Sequence, residues 1–130
     1  MKDKTKMIVS TIFIALVCLL IVIGATAKII GAKQVVEGLT HLGVGDYVKS
    51  LGLIEILFVA LFLHSTTSKV GFIFLCCYFG GAMATHLSHG ESMLQPAILL
   101  SLVWVAAFVR DKSIFFGKTV LFSKTPIVIL

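Results

Sequence analysis

The stretch VVEGLTHLGVGDYVKSLGLIEIL, Val35–Leu57, changes character midway along its length. Its first half is polar and broken by Gly38, Gly43 and Gly45. Its second half is an apolar run interrupted by one acid, Glu55. An ionisable side chain inside an apolar helix costs roughly 2.5–3.5 kcal/mol on insertion scales, so a chain that keeps one there is expected to supply a partner. Working outward, three further apolar runs flank this stretch, and they are the expected walls of its surroundings.

The charge content decides which solvent these runs face. Only 13% of the 130 residues are charged and 58% are hydrophobic, and mean hydropathy is +1.10. Soluble domains carry about 25% charged residues. The deficit points to an integral membrane protein, and the length fits one compact domain. The net charge of +5 invites a nucleic-acid reading. The basic residues sit at the ends of apolar runs and form no stripe, so no nucleic acid partner is expected.

Met7–Ala27 holds 21 residues without a charge. At about 1.5 Å per residue this crosses a ~30 Å hydrocarbon core. The basic start and Ala25-Thr26-Ala27 imitate a signal peptide, but the apolar core is longer than the usual ~7–15 residues. It reads as an uncleaved first span. Glu37 and His41, four apart, share a face of a short interfacial helix, and Asp46 is placed to cap the helix that follows. In that helix Leu51, Glu55, Phe58 and Phe62 form one stripe. A short polar loop at residues 64–69 turns the third helix antiparallel. The third helix ends at His86 and carries the small residues Gly80, Gly81, Ala82 and Ala84, which let backbones approach in lipid. Ser92 and Gln95 have capping-box spacing before the fourth helix, with Pro96 in its first turn and Trp104 as an interface anchor near its far end.

The expectation is therefore all-α: an integral membrane antiparallel four-helix bundle with a short interfacial helix between the first and second spans. The domain covers residues 1–110, with spans at about 7–28, 48–64, 69–88 and 93–110, followed by a cytoplasmic, membrane-surface tail at 111–130. Counting Lys and Arg on the two sides gives eight with the termini and three opposite, which places both termini in the cytoplasm of a multi-pass cell-membrane protein.

This topology gathers Glu37, His41, Asp46, His86, His89 and Glu91 at the non-cytoplasmic end, with Glu55 below them and His64 at the opposite end. The candidate ligand-binding or proton-relay residues are Glu55 as floor, His86 as its expected partner, and Glu37 with His41 as lid. The alternative is a buried Glu–His bond that sets helix register. No catalytic residue is assigned, since the chain has no HExxH, Walker loop, GxSxG or GxGxxG. No metal site is assigned either, because His86 and His89 make only one i, i+3 pair. Cys18, Cys76 and Cys77 lie in apolar runs without CxxC spacing and read as small buried hydrophobes. No particular cofactor is indicated by these residues.

The order Lys28…Ile30-Gly31-Ala32, Glu37-Gly38…His41-Leu42-Gly43, Leu51-Gly52-Leu53-Ile54-Glu55-Ile56-Leu57, Gly81-Ala82…His86-Leu87-Ser88-His89-Gly90 and Gln95-Pro96-Ala97-Ile98-Leu99-Leu100 resembles the DoxX-like group of small four-helix membrane proteins. The resemblance covers about residues 28–110. It implies a four-helix bundle in which Glu55 matches the acid of the second helix, His86 the histidine ending the third, and His41-Leu42-Gly43 the group's turn. The tail after Arg110 and the lack of a redox Cys pair depart from it. The group is named after a subunit of a quinone-linked sulfur oxidoreductase, and a distant eukaryotic branch acts in receptor assembly.

Two functions follow as expectations. One is an accessory subunit of a membrane redox system, not expected to be an independent enzyme, that binds a quinone-like head group. The other is a structural or chaperone-like partner of another membrane protein. The expected partners are the lipid bilayer, a quinone or lipid-like ligand, and a membrane protein or a second copy. A small transporter is the least favoured reading, because no inverted repeat is visible.

Overall fold

A computed structural model describes residues 2–111 of the chain; the expected tail beyond Asp111 lies outside them. Every regular element among the described residues is helical. The helices are α1 (Lys2–Ile30), α2 (Lys33–His41), α3 (Val48–Leu63), α4 (Ser68–Ser88) and α5 (Leu94–Arg110), with one 3-10 turn at Gly45–Tyr47 before α3. Two of them, α1 and α4, are long and apolar enough to cross a membrane.

The four long helices pack in a ring. α1 and α4 each lie against both α3 and α5. The apolar stripes explain this arrangement. In α3 the buried positions are Val48, Gly52, Glu55, Val59 and Phe62, alternating by four and three as one helix face requires. This corrects the expected stripe: Leu51 and Phe58 flank it, half-buried, and only Glu55 and Phe62 are shared. In α1 the buried set is Val17, Cys18, Ile21 and Ala25. Phe72, Leu75 and Phe79 of α4 and Val103, Ala106 and Ala107 of α5 complete one core. Of the cysteines, only Cys18 is buried; Cys76 is half-buried and Cys77 exposed, and all three are free.

Glycines set how closely these helices approach. At Gly71 of α4, an added Cβ would lie 2.5 Å from the Phe62 Cα and 2.6 Å from the Leu61 carbonyl carbon of α3. At Gly52 of α3 it would lie 2.7 Å from the Ala25 carbonyl oxygen of α1. Backbone therefore rests on backbone at both crossings.

The far end of α3 is closed by side chains. Arg110 donates from its two terminal nitrogens to the Phe62 and Leu63 carbonyls, at 2.5 and 2.7 Å, and Thr67 Oγ1 donates to Leu61 O at 2.8 Å. These are carbonyls that a helix end leaves without partners, and a cation there also suits the dipole. The Arg110 guanidinium lies 5.5 Å from the Phe62 ring centroid. Arg110→Gln is expected to cost about 1–2 kcal/mol in detergent-solubilised thermal unfolding, and Arg110→Lys to restore only part, since lysine cannot fork across two acceptors.

Two expected caps differ in the structure. Asp46 lies inside the 3-10 turn, and neither that turn nor α3 has a side-chain cap. The fourth helix starts one residue later than a Ser92 cap requires. Met93 is its N-cap, and Ser92 Oγ accepts from Leu94 N at 3.3 Å. Trp104 is 48% exposed and meets Phe72 edge-on at 5.6 Å.

Candidate functional site: a buried carboxylate between α1, α3 and α4

Glu55 stands in the middle of the α3 stripe and is 1% exposed. Gly52 lies one turn before it on the same face. Without a side chain there, α1 comes in until Lys28 Cβ sits 3.1 Å from the place a Gly52 Cβ would occupy. The Lys28 stem runs on past this point. Its ammonium donates to Glu55 Oε2 at 2.5 Å, with the lysine side chain 18% exposed. Helix α1 can deliver this group because it stays helical through Lys28 to Ile30, on the continuation of the Ile21–Ala25 stripe.

The third member comes from α4. Tyr78 donates its hydroxyl to the same oxygen, Oε2, at 3.1 Å. Its ring lies 5.7 Å from Lys28 Nζ and stands edge-on to Phe58 at 6.4 Å. Phe58 in turn stacks on Phe74 at 4.9 Å. The ammonium thus meets a carboxylate and an aromatic face, two groups that attract a cation.

His86 does not answer Glu55. Among the described residues the two share no hydrogen bond or ion pair, and the expected imidazole partner is replaced by Lys28 and Tyr78. The reason is geometric. Tyr78 precedes His86 by eight residues, about 12 Å at helical rise, and it is Tyr78 that stands level with Glu55. His86 remains half-buried near the end of α4.

The other expected site residues lie at the end of the helices where α2 and the α4–α5 turn sit. His41, which ends α2, holds Glu91 in the α4–α5 turn, with Nε2 to Oε1 at 2.7 Å. Gly43, at φ +80°, brings the following loop against the His89 ring, 3.4 Å from where its Cβ would stand. Leu42 between them is buried, at 5% exposure. Glu37 is exposed on α2. His41 therefore ties α2 to the α4–α5 turn and does not reach Glu55. Among the described residues no three His, Cys, Asp or Glu side chains are grouped to hold a metal ion.

Sequence reasoning missed Lys28 and Tyr78. Lys28 had a signal, since it sits three residues after Ala25 on the apolar stripe of α1. The count of Lys and Arg on the two sides takes it as a topology charge. Tyr78 had one too, since it shares a helical stripe with Ala82, Thr85, His86 and His89, but that stripe points to His86 as the partner.

Set beside known families, residues 12–109 match the DoxX-like family. The chain belongs to it. No curated protein and no solved structure matches the chain. In this DoxX-like protein, then, the described charge cluster consists of one carboxylate, one ammonium and one phenol, all meeting at a single oxygen atom. Such a set can orient a polar head group. It can also pass a proton among three acid–base groups without bulk water.

Proposed function

We propose that this DoxX-like protein is a multi-pass membrane protein whose four long helices span as an antiparallel bundle, both termini cytoplasmic, over a domain of residues 1–110. We propose further that it is a ligand-binding accessory subunit of a membrane redox system, taking a quinone-like head group at Lys28, Glu55 and Tyr78. In support of the membrane placement, the most apolar window of α1 has mean hydropathy 3.0 yet is only 17% buried. Met7, Leu16 and Ile23 of α1 are 59–64% exposed. A soluble core helix of that composition would be covered.

One observation carries the ligand reading: a carboxylate with 1% exposure, answered by two proton donors from different helices. Apolar residues of similar volume are often as stable as a buried ion pair or more so, so the pair costs stability that function explains. A quinone carbonyl would accept from the Lys28 ammonium, which has N–H groups beyond the one given to Glu55. A quinol hydroxyl would donate to the half-buried Tyr78 oxygen, whose own proton goes to Glu55 Oε2. Ubiquinone and menaquinone analogues are expected to raise the melting temperature of the purified protein by several degrees. Tyr78→Phe should raise the ligand's Kd about tenfold in a titration of that response, the loss of one hydrogen bond of about 1.4 kcal/mol. Absence of any shift in the wild-type protein rejects the reading.

The assembly-partner reading has its own support. Gly80 and Gly81 of α4 have nothing within 4 Å of an added Cβ, so this small-residue face is open to a second helix. Co-purification of one defined partner, lost in Gly81→Leu and retained in Glu55→Gln, would favour it.

A further inference from the structure

Lys28 borders two spaces. One holds Glu55. The other is a hollow of about 250 Å³ outside the ring, lined by Lys28, Gly31, Val36, Asp46, Val48 and Lys49. It lies among the end of α1, α2 and the start of α3. We propose that this hollow binds a zwitterionic phosphate–ammonium head group of the phosphoethanolamine class, carried by a membrane phospholipid. The proposal rests on the helices being spans, which puts the hollow at head-group depth, and not on the quinone reading.

The charges of the lining choose the ligand. Lys28 is already neutralised by Glu55. Asp46 and Lys49 remain, both exposed, and among the described residues neither side chain enters an ion pair. A simple anion would bond Lys49 and meet Asp46 as a like charge. A simple cation would meet the reverse. A neutral ring would satisfy neither. A head group with both signs bonds its phosphate to Lys49 and its ammonium to Asp46.

Size and surroundings narrow the class further. Pockets that enclose a whole small ligand run to about 300–1,000 Å³, so 250 Å³ takes a head group and leaves its tails outside. Ile30, next to Gly31 in the chain, is 74% exposed and offers those tails apolar surface. Gly31 adds no Cβ to the opening, and its φ of +73° favours glycine.

The test is lipid retention by the full chain in mild detergent, read by native mass spectrometry against equal phosphatidylethanolamine, phosphatidylcholine and phosphatidylglycerol. Phosphatidylethanolamine should be retained at least fivefold over both. Phosphatidylcholine carries methyl groups where Asp46 needs N–H donors, and phosphatidylglycerol has no cation. Asp46→Asn should erase the preference over phosphatidylglycerol, and Lys49→Met should lower retention of all three. Equal retention of the three lipids, or a preference that survives both substitutions, overturns the proposal. Soluble glycerophosphoethanolamine, which keeps the zwitterionic phosphodiester, is the second arm: retention equal to that of the lipid would support the head-group chemistry and assign it to a free ligand. Loss of the quinone response with lipid preference intact would sink only the quinone reading, and the converse only this one.

Discussion

Lys28→Met is expected to destabilise the protein by about 3–5 kcal/mol, because it leaves the Glu55 carboxylate buried without its counter-charge. Glu55 is 1% exposed, so water cannot take over. The Tyr78 hydroxyl at 3.1 Å supplies one hydrogen bond but no charge. The loss should therefore exceed that of an ordinary surface ion pair, about 0–1 kcal/mol. The exposed His41–Glu91 pair provides that comparison within the same molecule. His41→Ala should cost less than about 1 kcal/mol. Adding Glu55→Gln to Lys28→Met should restore most of the stability, since Gln keeps an oxygen for Tyr78 and carries no charge. Chemical unfolding of the four species in one detergent closes the double-mutant cycle. A single mutant within 1 kcal/mol of wild type, or additive losses, would mean that Glu55 does not depend on Lys28.

Gly71→Ala should cost about 3 kcal/mol or more, at the upper end of overpacking effects. The added methyl would strike main chain of α3, at 2.5 Å from Phe62 Cα, with the Phe62 nitrogen closer still. Main chain inside a helix cannot rotate aside as a side chain can, so α4 must move off α3. That movement would also draw Phe72, Leu75 and Tyr78 from their contacts. Gly80→Ala is the control on the same helix. Nothing lies within 4 Å of its added Cβ, and alanine is favoured over glycine inside a helix by about 1 kcal/mol. The two substitutions should thus have opposite signs. If Gly71→Ala melts with the wild type, the close crossing of α3 and α4 is wrong.

Much of the fold is legible in the chain because helix formation and apolar periodicity are local. The four long apolar runs, the short polar connections at residues 64–67 and 89–93, and the amphipathic piece before Glu55 appear as helices and turns. The register of α3 was not legible. The expected and observed stripes share Glu55 and Phe62 and part at Leu51 against Gly52 and at Phe58 against Val59, where the sequence favours the larger side chains. Only the fit of α1 onto Gly52 separates them. The caps fail for a similar reason: Asp46 and Ser92 carry the right oxygens, but backbone bonds shift the helix starts past Asp46 to Val48 and past Ser92 to Leu94.

The amino-acid sequence alone determined that one acid sits in an apolar helix, that such an acid needs an answer from elsewhere in the chain, and that His41, His86, His89 and Glu91 lie near one end. It did so because these statements depend on spacing along the chain and on the cost of burying charge. Only the tertiary structure decided that the answer comes from Lys28 and Tyr78, and that His41 serves Glu91. Which groups meet across helices depends on how far each helix slides along its neighbour. That sliding is set by backbone contact at Gly52 and Gly71, between segments far apart in the chain.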